Sequence, residues 1–506
     1  MSIINSIVDV ASSRRLKQID QFKEHPASVQ EKVLFSLIRK AQNTEWGKKC
    51  GFASIQSVSD FQKKVPIQTY EELKPHIDRV RQGERNILWP GATKWFAKSS
   101  GTTDSKSKFV PVTNESLSNC HYRGGKDVIL AYLRQYPNTK ILTGKTLTLG
   151  GSHQLDTYYK KSFYGDLSAV MIENIPVWVN YLRTPPTKIA LLDDFDEKIA
   201  KIAEISTKQH VVSFTGVPSW NLILMKYILA HTGKKNILDI WPDMELFIHG
   251  GVSFLPYREQ YQQMFPSGNM HYVETYNASE GFFALQDNAG SDDMLLMLDY
   301  HVFFEFVPLD RLGVNNHEAL TIEEVETGVN YAVIISTNSG LWRYLIGDTI
   351  VFTSLFPHKI KVSGRTKQYI NAFGEEIIVD NAEKALQKAC HATGAVITEY
   401  TAGPVYMDSQ SNGTHEWLVE FEQQPDSLEK FTQTLDTALC ALNSDYEAKR
   451  SKDITLRMPI VRSLPHDTFY NWMKQCGKLG GQNKVPRLCN DRRHLDAILQ
   501  LNTKKT

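Results

Sequence analysis

Between residues 210 and 354 the chain repeats one arrangement. Short apolar runs rich in β-branched and aromatic residues (HVVSFTGVPS, ELFIHGG, NMHYVETYNASE, DYHVFFEFVPL, YAVIISTN and DTIVFTS) are set apart by turn-forming or helix-forming stretches. Each run is short for a buried helix and long enough for a strand. Strands that alternate with helical stretches bury both faces when helices cover the sheet. The expected fold class is therefore α/β, with mixed, largely parallel sheets.

The first hundred residues carry a helical period instead. In SVQEKVLFSLIRKAQ, Val29, Val33, Leu34, Leu37, Ile38 and Ala41 share one face, behind Ser28 and Glu31 at capping-box spacing. TYEELKPHIDRVRQG repeats the device with Thr69 and Glu72. FVPV reads as a short strand, and the stretch after Thr113 as a helix capped by that residue. From about residue 380 the texture changes to a compact α+β unit. Helices over NAEKALQKACHA, SLEKFTQTLDTALCAL and DTFYNWMKQC are interleaved there with strands AVITEYTA, EWLVEFEQ and DITLRMPIVRS. The predicted division is a large domain over residues 1–367 and a small mobile domain over 368–506.

Composition narrows the partners. With 57 basic and 56 acidic side chains the net charge is +1, so no overall field draws the chain to nucleic acid or an anionic membrane. The six cysteines (Cys50, Cys120, Cys390, Cys440, Cys476 and Cys489) contain no CxxC pair, which points to free thiols in a reducing compartment. The first twenty residues place their basic pair after the apolar ones, unlike a signal peptide, and no apolar run reaches the length of a membrane span. A cytoplasmic protein acting on small molecules is the expectation.

The stretch KSSGTTDSKSK, residues 98–108, is a hydroxyl-rich loop around one glycine. Backbone amides and hydroxyls of such a loop can wrap a polyphosphate, with Lys106 or Lys108 supplying charge, although a solvated turn has the same composition. It is not a Walker A loop, because Lys106 stands where the second glycine would be. GxGxxG, HExxH, GxSxG and EF-hand patterns are also missing, so the common dinucleotide, zinc-peptidase, hydrolase and calcium readings have no support.

Four stretches, taken in order, resemble the acyl-adenylating superfamily of acyl-CoA synthetases, luciferases and adenylation domains. SSGTTDSKSK resembles its phosphate loop, TYNASEG (275–281) its second nucleotide motif, LWRYLIGDTI (341–350) its ribose motif, and SGRTKQYINAFGEEI (363–377) its hinge motif. ILWPGATKWFAKSSGTT, ELFIHGG, FFEFVPL, SGLWRYLIGD and GGQNKVPRL are similar to the acyl-acid amido synthetases, the Gretchen Hagen three family. This resemblance covers residues 75–490, and its wording is closer to the bacterial branch than to the plant hormone-conjugating members.

The resemblance implies an ATP- and Mg²⁺-dependent ligase that adenylates a small carboxylic acid and passes the acyl group to an amine, an amino acid in that family. Ser99, Ser100, Gly101, Thr102 and Thr103 would hold the β- and γ-phosphates. Tyr276 would stack on adenine, while Asn277, Ala278, Ser279 and Gly281 line the base and α-phosphate. Glu280 would hold Mg²⁺, and Asp348 would accept the ribose hydroxyls. Read without the resemblance, Glu280 could cap a helix start and Asp348 could sit in a Gly-Asp turn between strands. Arg365 would touch ribose or phosphate near the hinge at Lys367, and Lys484 would swing in to stabilise charge during adenylation. Leu345 replaces the arginine of the ribose motif, and Arg343 does not inherit that role. Tyr122 and Arg123 are candidates to face the acyl carboxylate, and the Gly250–Gly251 pair to let adenine approach the backbone. A coenzyme A ligase and a nucleotide-binding regulator without chemistry are the alternatives.

Overall fold

The helical period at the N-terminus becomes the helices Ile3–Glu24, Pro26–Ala41 and Tyr70–Arg81 of the computed structural model. It describes residues 3–99, 108–151, 153–155, 162–251, 254, 257–266, 268–288, 290–312, 319–366, 369–370, 372, 375, 377–406, 413–443, 446–447, 450, 456–479, 484–489 and 491–503. The second helix starts two residues before Ser28, with Pro26 in its first turn, so Ser28 and Glu31 are not its cap. At Thr69 the capping box forms as the spacing predicts: Glu72 Oε2 accepts from the Thr69 backbone N–H at 2.6 Å. The Thr113 hydroxyl likewise accepts from Ser116 N–H at 3.0 Å.

The chain divides into two compact units, residues 1–252 with 267–362, and residues 253–266 with 363–506. The first holds two sheets. The smaller sheet contains β1 (Trp95–Ser99), β2 (Lys108–Val112), β4 (His153–Leu155) and β5 (Phe163–Gly165), in the order β2-β1-β5-β4. The larger begins with β3 (Lys145–Thr148), β6 (Arg183–Thr184), β7 (Val211–Gly216), β8 (Leu246–Gly250) and β9 (His271–Ala278). It continues with β10 (Gly281–Leu285), β11 (Met294–Leu296), β12 (Val302–Pro308), β13 (Asn330–Thr337), β14 (Tyr344–Leu355) and β15 (His358–Arg365). Its order is β12-β13-β14-β15-β11-β10-β9-β8-β7-β3-β6.

In the larger sheet the stretch from β6 through β3, β7 and β8 to β9 is parallel. The pairs β9–β10, β10–β11, β11–β15, β12–β13 and β13–β14 are antiparallel, so the parallel share is smaller than the sequence suggests. The connections explain the difference. Parallel strands need a crossover such as the helix Pro218–Thr232 between β7 and β8, whereas β9 and β10 are joined by two residues. The free edge at β12 is covered: Gln30 donates to the Leu298 and Val302 carbonyls and accepts from Phe304 N–H, all within 2.9 Å.

The second unit pairs β16 (Tyr369–Ile370) with β17 (Ile377–Ile378), and β18 (Val396–Val405) with β19 (Thr414–Gln423) and β20 (Ile460–Leu464). Helices Val379–Thr393 and Leu428–Leu442 pack Leu386, Ala389, Phe431 and Leu435 into one core with Trp417 and Val419 of β19. The cysteines are unpaired, as their spacing predicts. Among the described residues no helix is long and apolar enough to cross a membrane.

Candidate active site

Because β3, β7, β8 and β9 run parallel, their carboxyl ends share one edge of the sheet. Ligands of open α/β sheets bind outside such an edge. β7 leaves it through Gly216, whose φ of +138° lies in the region that favours glycine. β8 leaves through Gly250, where a Cβ would fall 2.4 Å from the Thr275 carbonyl oxygen. The approach of β9 thus accounts for Gly250 without invoking adenine.

β9 ends in the second nucleotide motif. Ser279 and Glu280 form a two-residue turn into β10, closing a hairpin in which Ala278 faces Gly281 and Asn277 faces Phe282. Glu280 is therefore at a hairpin tip and not at a helix start. Its side chain is buried, at 7% exposure, which is unusual for a turn carboxylate. The ladder slips one step further along, where Phe283 is the extra residue between Phe282 and Ala284. Phe283 turns edge-on to the Tyr276 ring at 4.9 Å, and a Cβ on Gly281 would meet it at 2.8 Å. Tyr276 donates its hydroxyl to Asp348 Oδ2 at 2.9 Å, with both side chains buried. Asp348 lies inside β14 and not in a turn.

The phosphate-loop residues Ser100, Gly101, Thr102 and Thr103, together with Lys106, lie outside the described residues. Their frame is described: β1 and β2 are antiparallel with Ser99 opposite Lys108, which brings the two ends of the loop together. Lys108 Nζ donates to the Tyr344 hydroxyl at 3.3 Å, at the start of the strand that carries Asp348.

Other candidates are engaged elsewhere. Arg123 pairs with Asp299 at 2.8 Å and the Tyr122 hydroxyl donates to the Met171 carbonyl at 2.8 Å, so neither is presented to an acyl carboxylate. Arg343 is fully buried against Glu305, with Nε 3.0 and 3.1 Å from the two carboxylate oxygens and Nη1 on the Gln62 and Val65 carbonyls. That arginine builds the fold.

Three residues of this neighbourhood escape sequence reasoning. Cys120 and His121 contact the hairpin from the segment that precedes the helix Tyr122–Gln135. Lys198, on the helix Phe195–Ser206, donates to the Gly150 and Gly151 carbonyls at 2.9 and 3.2 Å just beyond β3. Burial pushes its ammonium down to about 8, although Asp166 and Asp193 oppose the change. For Lys198 the available signal was a polar residue on an apolar helical stripe, among Phe195, Ile199 and Ile202.

Arg365, the last residue of β15, lies past the division at residue 362 and is half-buried, while Lys367 lies outside the described residues. Lys484 begins an extended segment laid along β18. Ala402 N–H donates to Arg487 O at 2.9 Å, Cys489 N–H to Ala402 O at 3.0 Å, and the Thr401 hydroxyl to Pro486 O at 2.6 Å. The Arg487 guanidinium anchors this segment on Glu399, on the Tyr257 hydroxyl and over the Tyr400 ring. Glu375 of the hinge motif is 2.7 Å from His415 Nε2, both fully buried.

Among the described residues no group of three or more His, Cys, Asp or Glu side chains could cage a metal. A hard cation at Glu280 would therefore take its remaining oxygens from phosphate and water, which is how Mg²⁺ is held in nucleotide enzymes.

The fold matches that of the acyl acid amido synthetase GH3.15 with a TM-score of 0.77 at 18% identity, covering 96% of this chain and 95% of that one. It also matches a 2-hydroxyisobutyryl-CoA ligase in the postadenylation state, at 0.60 and 12%, over 94% and 92% of the two chains. The fold is that of the acyl-adenylating ligases. Residues 15–270 match the GH3 family N-terminal domain, 295–365 its central domain and 380–493 its C-terminal domain, so the chain belongs to the GH3 family. The indole-3-acetic acid-amido synthetase GH3.4 of Arabidopsis thaliana is 23% identical over 94% of this chain and 91% of its own length. The 4-substituted benzoates-glutamate ligase GH3.12 of the same plant is 21% identical over 95% and 96%. The protein is an ATP-dependent enzyme that forms amides through an acyl-adenylate.

Proposed function

We propose that the enzyme joins a small carboxylic acid to the amine of an amino acid in the cytoplasm, using ATP with Mg²⁺. The observation that carries this reading is the junction of the hairpin tip with the ribose-motif strand through Tyr276 and Asp348. A free carboxylate is a poor electrophile, whereas AMP is a good leaving group, so activation must precede amide formation. The carboxylate oxygen attacks the α-phosphorus, pyrophosphate leaves, and the amine then displaces AMP from the acyl carbon. Mg²⁺, when bound, neutralises charge on the triphosphate, and Glu280 is the side chain assigned to hold it.

Ser99 to Thr103 wrap the β- and γ-phosphates, and Tyr276, Asn277, Ala278, Ser279 and Gly281 line the adenine and α-phosphate. Asp348 accepts from the ribose diol, Arg365 assists at ribose or phosphate, and Lys484 stabilises negative charge in the adenylation step. The test is ATP–pyrophosphate exchange over a panel of carboxylic acids that includes indole-3-acetic acid and 4-substituted benzoates, followed by mass spectrometry with pooled amino acids. Exchange with at least one acid and a new amide of matching mass is the expected result. A coenzyme A thioester formed in place of any amide would overturn the acceptor assignment.

A further inference from the structure

Leu117–His121 form a single π-turn between the Thr113 cap and the helix Tyr122–Gln135. Turns of this kind are frequent at functional sites. Here two consecutive residues of the turn reach one hairpin. The Cys120 sulfur accepts from Phe282 N–H at 3.1 Å, and its S–H points to the Phe282 carbonyl oxygen at 3.6 Å. His121 Nδ1 lies 3.2 Å from Asn277 Oδ1, and an amide oxygen only accepts, so the imidazole proton sits on Nδ1. Asn277 and Phe282 are register partners. Both contacts therefore grip the same rung, the last before the Ala278–Gly281 rung that closes on Ser279 and Glu280. Gly124 lets the Phe282 ring lie against the same helix, since a Cβ there would fall 2.4 Å from it.

The rung needs an external hold because the ladder is broken directly beneath it. Phe282 pairs with Asn277 but Ala284 pairs with Tyr276, leaving Phe283 bulged. A bulge bends its strand and adds twist, so the tip beyond it does not inherit its angle from the sheet. Only Thr113 and the helical turn Asn114–Ser116 separate β2 from the π-turn, so the strand that ends the phosphate loop and the turn that holds the hairpin belong to one stretch, residues 108–121. Burial keeps both groups neutral around neutral pH, with the Cys120 thiol pushed up to about 12 and His121 pushed down to about 4.

We propose that Cys120 and His121 are positioning residues for adenylation, a two-point clamp that sets the angle at which the hairpin tip presents Glu280. The inference rests on the assignment of Glu280 to Mg²⁺ made above.

The test measures ATP binding to the full chain by calorimetry across a Mg²⁺ series, with no acyl acid present. Glu280→Gln should remove most of the gain in ATP affinity that Mg²⁺ confers. His121→Leu should reduce that gain about tenfold, the size seen when a group orienting a metal ligand is lost. His121→Asn, whose side-chain amide nitrogen takes the place of Nδ1, should recover most of the loss. In the Glu280→Gln background His121→Leu should add nothing, because the two act on one interaction. A wild-type Mg²⁺ response in His121→Leu overturns the clamp, as does an equal loss in both backgrounds or a failure of His121→Asn to recover. An unchanged Mg²⁺ response in Glu280→Gln overturns the metal assignment itself and is read without reference to His121. If His121→Leu does not fold, Asn277→Ala breaks the same bond from the hairpin side and is judged by the same outcomes.

Discussion

The Tyr276 hydroxyl on β9 and Asp348 Oδ2 on β14 are 2.9 Å apart, although β15, β11 and β10 lie between their strands in the sheet order. At about 4.8 Å per strand a flat sheet would hold the two backbones roughly 19 Å apart, beyond the reach of a tyrosine meeting an aspartate. The sheet therefore rolls between them, and the roll joins the second nucleotide motif to the ribose motif.

If Asp348 receives the ribose diol, Asp348→Ala should raise the apparent KM for ATP by about tenfold, because charge-assisted hydrogen bonds are lost. ATP lacking both ribose hydroxyls should be a poor substrate for the wild type and nearly equivalent to ATP for the variant. Tyr276→Phe leaves the carboxylate with one donor fewer and should have a smaller effect, about fivefold. A variant at Asp348 that still prefers the natural ribose as strongly would contradict the assignment.

Glu280→Gln keeps the shape of the hairpin tip but removes its charge. Pyrophosphate exchange should fall by about 10²-fold, as for the loss of a major electrostatic stabiliser, with the thermal unfolding curve little changed. Near-normal exchange by the folded variant would remove Glu280 from the metal site.

Lys484→Ala should separate the two half-reactions. Phosphate charge develops only while the adenylate is being made, so exchange should drop steeply. Supplied with a prepared acyl-adenylate, the same protein should still form amide from the correct amine. Equal impairment of both steps would point to damage of the β18-anchored segment instead.

The Glu305–Arg343 pair predicts a stability effect without a role in chemistry. Arg343→Met leaves the Glu305 carboxylate without its counter-charge at a position with no exposure, where the Gln62 amide still donates to it, and should cost about 3–5 kcal/mol, read as a lower urea midpoint. Replacing both partners, Glu305→Leu with Arg343→Met, should recover much of that loss. No recovery would show that the bonds to the Gln62 and Val65 carbonyls dominate.

Lys198 predicts an alkaline signature. Its folded pKa of about 8 lies below the ordinary 10.5, so between these values the unfolded chain holds a proton that the folded chain has released. Stability should therefore rise with pH across that window, by at most roughly 3 kcal/mol, and fall back to the fully burdened value below it. Subtracting the Lys198→Met curve from the wild-type curve isolates the effect. A difference that stays flat from pH 8 to 10.5 would mean that the ammonium is not held as buried as it stands.

The order of the motifs, the caps at Thr69 and Thr113, and the α/β class were legible because each depends on neighbours in sequence. The hairpin at Ser279–Glu280 was not, since a turn between strands and a helix start use the same small polar residues. Arg343 belongs to the buried frame, and its partner Glu305 sits on another strand, so no local spacing announces the pair. Cys120 and His121 were missed because a π-turn has no sequence period, and each meets its hairpin partner more than 150 residues away. The antiparallel share of the sheet was underestimated because a run of apolar residues does not reveal the direction of its neighbour.

The π-turn also fixes how many residues must lie between the phosphate loop and the helix that follows it. In a regular α-helix each residue advances the winding by about 100°. Leu117–His121 winds more widely than that, so deleting one of its residues would restore the regular winding and carry Cys120 and His121 off the positions from which they reach Phe282 and Asn277. The count from Thr113 to Gly124 thus behaves like a reading frame. A loop grafted from a relative into this chain would have to match that length as well as its chemistry, or Phe282 and the hairpin tip would lose their seat.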